Sequence, residues 1–135
     1  KYNHIIWDWN GTLMNDTWLC VEVLNSILQS RQMPLVSRES YRAQFDFPVI
    51  KYYERLGFDL VTEAFEDLSV EFNNEYDRRR EECLLHEDAW TILQSHAQAG
   101  RSQSILSASH HERLAEIIEY YELTSFFHHL HVEVD

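Results

Sequence analysis

The 135-residue chain has little of what interrupts regular structure, with only three glycines and two prolines. That scarcity argues against a chain dominated by turns and points to long helices. It has two cysteines, Cys20 and Cys83, with no C-x-x-C spacing. They make neither a disulfide framework nor a zinc site and suit buried thiols in a reducing compartment. Basic residues are few, 11 Lys plus Arg against 23 Asp plus Glu, for a net charge of −12. Such a field repels phosphate backbones and excludes a nucleic-acid binder. An anionic small substrate would need a metal ion or local cations to be drawn in. No apolar run approaches the roughly 20 residues of a membrane span, and no signal-peptide pattern opens the chain. A cytoplasmic protein is expected, without membrane or nucleic-acid partners. The first residue is Lys1 rather than Met, so residues are expected to be missing at that end.

What is present suffices for a core: 44% of residues are hydrophobic and 13% aromatic, well outside disordered composition. His4 to Trp9 reads as a buried strand. Leu19, Val23, Leu24, Ile27 and Leu28 recur at helical spacing between Thr17 and Arg31, with Asp16 as N-cap. Ser37 opens a short helix through about Phe45, and Pro48 starts another that Gly57 ends. The stretch from Val61 to Glu82 predicts a longer helix with Phe65, Leu68, Phe72 and Tyr76 on one face. After Cys83 the pattern changes. A helix over "EDAWTILQSHAQAG" stops at Gly100, and "SQSILSAS" reads as a strand. Ser109 and Glu112 form a capping box for a helix that buries Leu114, Ile117, Ile118 and Tyr121. "HLHVEV" alternates like a last strand. Strand–helix–strand order predicts a parallel sheet interrupted by a helical insertion.

Within "HIIWDWNGTLMND", the Asn10-Gly11 pair alone favours a hairpin turn. The downstream order favours a second reading, in which a strand delivers Asp8 to its carboxyl end beside a small-residue loop. Ligands of parallel sheets bind at those ends, where Ser107 of "QSILSAS" would also arrive.

These residues resemble the haloacid dehalogenase superfamily. "IIWDWNGTL" is similar to its first motif, an apolar strand followed by Asp-x-Asp-Gly-Thr. "QSILSAS" is similar to its second, an apolar strand ending in Ser or Thr. The stretch between them resembles the phosphoglycolate-phosphatase-like branch. The resemblance implies a doubly wound α/β core from residues 1–16 and 84–135, with an all-helical cap over 17–83. It implies hydrolysis of a small phosphorylated metabolite, with Mg2+ as cofactor and Asp8 as the nucleophile that becomes an aspartyl-phosphate. Mg2+ would bind the Asp8 carboxylate and the Asn10 backbone carbonyl. Gly11 and Thr12 would bring backbone N–H groups to the phosphoryl oxygens, and Ser107 with Ala108 would bind them from the second strand.

Two departures stand out. The family's second aspartate, its proton donor and acceptor, is Asn10 here, and an amide does neither task. The family's third motif, a Lys, and its fourth, an acidic pair, are expected beyond Asp135, so the core is expected to be incomplete at its C-terminal end; no lysine follows Lys51. Asn10 predicts a slow enzyme or one suited to good leaving groups. A catalytically inactive binding module of the same fold is the competing expectation.

Other residues read more plainly. Arg42, Lys51, Tyr52 and Tyr53 would recognise a substrate only if they face the site, and a helical domain needs surface charges and buried tyrosines in any case. "DRRREE" at 77–82 reads as a solvated face with local ion pairs. Trp9 would pack in the core or border the phosphate. His129 and His131 share one side of the last strand but lack partners for a metal set, and His110 and His111 read as ordinary first-turn residues.

Overall fold

The computed structural model describes residues 3–107, 111–127 and 129–132, with the side chains of 111, 112 and 129–132 outside that description. The chain divides into two compact units: Lys1–Asn15 with Cys83–Val134, which carries the strands, and Asp16–Glu82, which is helical.

In the first unit, β1 (His4–Asp8), a short β2 (Met14–Asn15), β3 (Leu84–Leu85), α1 (Ala89–Gln98 in this unit), β4 (Ser102–Ser107), α2 (His111–Tyr120) and β5 (His129–Val132) follow in order. The main sheet is parallel, ordered β1-β4-β5, so the α/β class with a parallel sheet is as expected. Register places Asp8 beside Leu106 and Ile6 beside Ser104. Alternation divides each strand between two faces. Ile5, Trp7, Gln103 and Ile105 share the face that receives α1. There the Trp7 indole N–H donates to Gln103 Oε1 at 2.8 Å, and the Gln103 amide donates to the Leu93 carbonyl at 3.0 Å. Gln103 is fully buried, and these two bonds remove most of the cost of burying its amide. Leu93, Ile105, Leu114, Ile117, Ile118 and Leu123 complete this core.

The other face of the sheet departs from the sequence expectation of a strand buried on both sides. Ile6 is 61% exposed, and β1 is an edge strand among the described residues. The β2–β3 pair was also not expected. Met14 pairs with Leu85 and Asn15 with Leu84, antiparallel, at the two chain crossings between units. After α1, Gly100 takes a left-handed φ of 78°, and the Arg101 N–H closes back on the His96 carbonyl, as the sequence predicted for its stop. The capping box at Ser109 lies outside the described residues.

The second unit holds four helices, α3 (Thr17–Ser30), α4 (Arg38–Gln44), α5 (Val49–Leu56) and α6 (Phe65–Arg79), the last continued by a 3₁₀ turn, Arg80–Glu82. The predicted apolar stripe of α3, Leu19 to Leu28, is buried throughout. Ser37 caps α4 through the Ser40 N–H, and Gly57 ends α5 at φ 103°. Asn25 pins the loop before α4, exchanging two hydrogen bonds with the Val36 backbone at 2.8 and 2.9 Å.

Two local readings need correction. Asp16 occupies the N-cap position of α3, but its side chain makes no capping bond. It accepts instead from the Tyr76 hydroxyl at 2.5 Å, because a carboxylate only 1% exposed requires a buried donor. The long helix begins at Phe65 rather than Val61. The Asp59 carboxylate accepts from the Val61 N–H and holds that stretch in a turn, leaving Val61 96% exposed.

Candidate active site

Asp8 is the last residue of β1, and the chain turns immediately after it. The Trp9 N–H continues the ladder to the Leu106 carbonyl at 3.2 Å. The Trp9 carbonyl then accepts from both Thr12 and Met14, at 3.3 and 3.1 Å, folding residues 9–14 into one compact loop. Gly11 sits inside it at φ 77°, a conformation that other residues adopt only with strain. The Asn-Gly pair therefore does make a tight turn, but the strand that follows it pairs with Leu84–Leu85 and not with β1.

That loop orients the carboxylate. The Thr12 hydroxyl donates to Asp8 Oδ2 at 3.0 Å, and Asp8 remains exposed. From the neighbouring strand end, the Ser107 hydroxyl, 3% exposed, donates to Asn10 Oδ1 at 2.9 Å. The structure thus brings Asp8, Asn10, Gly11, Thr12 and Ser107 together in one loop cluster. The Thr12 N–H is engaged within the turn by Trp9. Trp9 itself is 1% exposed and packs in the core. Ala108 lies outside the described residues, as do His110 and the side chains of His111, His129 and His131. Arg42 is an exposed residue near the end of α4 in the helical unit.

A carboxylate and nearby backbone carbonyls are hard oxygen donors, the set that Mg2+ prefers, at about 2.0–2.1 Å in octahedral geometry completed by water and substrate. The exposed Asp8 carboxylate is one donor of that kind. Among the described residues no group of three or more His, Cys, Asp or Glu side chains forms a metal cluster of another kind. No helix among them is long and apolar enough to cross a membrane.

Sequence reasoning missed one residue. The His86 N–H donates to the Leu13 carbonyl at 2.9 Å, and its Nε2 lies 3.3 Å from the Gly11 carbonyl oxygen. An isolated histidine 75 positions after Gly11 carries no pattern that would reveal this, and only the β2–β3 pairing brings it there.

The "DRRREE" segment is indeed a face of ion pairs. Arg78 meets Glu75 at 2.6 Å, Arg79 meets Glu22 and Glu82 at 3.0 and 3.2 Å, and Arg80 meets Asp77 at 3.6 Å.

A profile of the family "haloacid dehalogenase-like hydrolase" matches residues 5–135. No curated protein matches the sequence. Among solved structures, one from Bacteroides fragilis, assigned as a haloacid dehalogenase-like hydrolase, superimposes with a TM-score of 0.83 at 16% identity, covering 98% of this chain and 63% of that one. A predicted phosphoglycolate phosphatase from Haemophilus somnus gives 0.72 at 16% identity, over 97% of this chain and 62% of its own. Protein tyrosine kinase A of Mycobacterium tuberculosis gives 0.79 at 16% identity, over 99% and 61%. At these identities the likeness is one of fold. The chain spans about three fifths of the length of these structures.

Proposed function

The chain belongs to the haloacid dehalogenase-like hydrolase family, and from that premise we propose that it serves the Mg2+-dependent hydrolysis of a small phosphorylated metabolite through a phosphorylated Asp8. The observation that carries the proposal is the exposed Asp8 carboxylate at a strand end, held by the Thr12 hydroxyl at 3.0 Å, with Ser107 arriving from the adjacent strand. A carboxylate held in one orientation is an effective nucleophile because less freedom is lost on reaching the attacking geometry.

In this reading Asp8 attacks phosphorus, and the covalent intermediate is then hydrolysed, which divides one difficult displacement into two easier ones. The Asp8 carboxylate and the Asn10 carbonyl would hold Mg2+, whose charge offsets the repulsion between carboxylate and phosphate. Ser107 and the segment after it would bind phosphoryl oxygens. The helical unit, Asp16–Glu82, would act as a cap that excludes water, with Arg42 as a substrate contact. A cytoplasmic location accords with two cysteines that form no disulfide. The substrate in this reading is a small phosphate ester or anhydride.

Steady-state hydrolysis of p-nitrophenyl phosphate by the full-length protein tests this. Activity that requires Mg2+ and disappears in Asp8→Asn supports the enzyme. Asn10 favours a second reading, a phosphate-binding module without turnover. For that module, phosphate would bind while no hydrolysis is detected.

A further inference from the structure

The proposed reaction moves a proton twice, to the leaving oxygen and then from the attacking water, and Asn10 can do neither. Three histidine side chains are described in the strand-bearing unit, and two are engaged elsewhere. His4 lies between the Ser102 and Ser104 hydroxyls, at 2.5 and 2.6 Å. His96 contacts Arg101 at 3.1 Å and lies against the Trp7 ring. His86 alone is bonded to the loop that carries Asp8.

We infer that His86 is the proton-transfer group of this site, a role that rests on the proposed Asp8 reaction. A carbonyl only accepts, so the bond to Gly11 requires the proton on Nε2 and leaves Nδ1 as the basic nitrogen of the neutral ring. The backbone bond to Leu13 and the ring bond to Gly11 hold the imidazole to the nucleophile loop from two points. His86 is half-buried, so protons can exchange with solvent.

The proton cycle closes on this one residue. As Asp8 oxygen bonds to phosphorus and the bond to the leaving oxygen breaks, the imidazolium gives its Nδ1 proton to that oxygen. Neutral Nδ1 then takes a proton from water as the water oxygen bonds to phosphorus. The bond to Asp8 breaks, inorganic phosphate leaves, and the imidazolium is restored.

The test compares p-nitrophenyl phosphate, whose leaving group needs no proton, with glycerol phosphate, whose leaving group does. It uses the full-length protein in Mg2+. In His86→Gln the side-chain amide still donates to Gly11 but transfers no proton. The expected result is a loss of about 10²–10⁴-fold in kcat/KM for glycerol phosphate and a much smaller loss for the aryl ester. Nitrophenol should appear in a burst, with phosphate retained on Asp8. Adding Asn10→Asp to His86→Gln should restore glycerol phosphate turnover. His86→Ala, which also removes the tether, should lose activity on both substrates. Equal losses on both substrates in His86→Gln, or none on either, would overturn the inference and leave the role of Asp8 standing. A wild-type protein that hydrolyses neither substrate and takes no phosphoryl group on Asp8 would overturn both.

Discussion

Polar side chains join elements in both units, but only in the strand-bearing unit does a set of them surround an exposed carboxylate. In the helical unit they join elements to one another. Arg31, at the end of α3, forks onto Glu63 and Glu71 at 2.5 and 2.8 Å, and Tyr76 reaches from α6 to the buried Asp16. In the strand-bearing unit Gln103 also joins elements, but a second set gathers at strand ends, where Thr12, Ser107 and His86 hold a loop around an exposed carboxylate. Removing a polar contact from the helical unit should therefore reduce stability, and removing one from the loop around Asp8 should reduce turnover with little change in stability.

Four substitutions sharpen that contrast, in descending size of effect. Asp8→Asn should abolish hydrolysis and leave the denaturation midpoint near that of the wild type, since Asp8 is exposed. Unfolding of that variant at much lower denaturant would erase the distinction between the units. Leu24→Ala, at a position 1% exposed within α3, should cost about 2–5 kcal/mol by chemical denaturation. Tyr76→Phe removes one donor from a buried carboxylate and should cost about 1.5–3 kcal/mol, with kcat for any substrate little altered.

The smallest effect concerns pH. The Arg31 guanidinium holds the Glu63 carboxyl below its ordinary range, chiefly through their hydrogen bond. A carboxyl depressed in the folded state contributes stability above its unfolded pKa and loses it as pH falls through the folded one. Arg31→Gln should thus flatten the acid limb of the stability curve below about pH 4.5. The change should be at most about 1 kcal/mol, because Glu63 is partly exposed and solvent screens the pair. An unchanged acid limb in urea titrations at several pH values would show that Arg31 contributes only packing.

The same contrast explains what was legible in the sequence. The helices of the second unit were readable because their apolar residues repeat at helical spacing: Leu19, Val23, Leu24, Ile27 and Leu28 are all buried, and Ser37 and Gly57 mark ends where predicted. Its misreadings arose where a polar side chain was engaged over a distance or in a local turn, at Asp16 and Asp59. In the first unit the parallel order followed from the strand–helix–strand sequence. The β2–β3 pair did not, since two residues on each side carry no periodicity and lie about 70 positions apart. Asp8, Asn10 and Ser107 were visible because each stands at a strand end within a recognisable motif. His86 was not, since its position depends on that long-range pairing.

The account turns on Asp8 as the nucleophile, and trapping its covalent state addresses this most directly. The full-length protein would be incubated with acetyl phosphate and Mg2+, quenched in acid and mapped by peptide mass spectrometry. The account predicts one added phosphoryl group on the peptide containing Asp8, and none in Asp8→Asn. A protein that takes no phosphoryl group, or takes it on another residue, would contradict it.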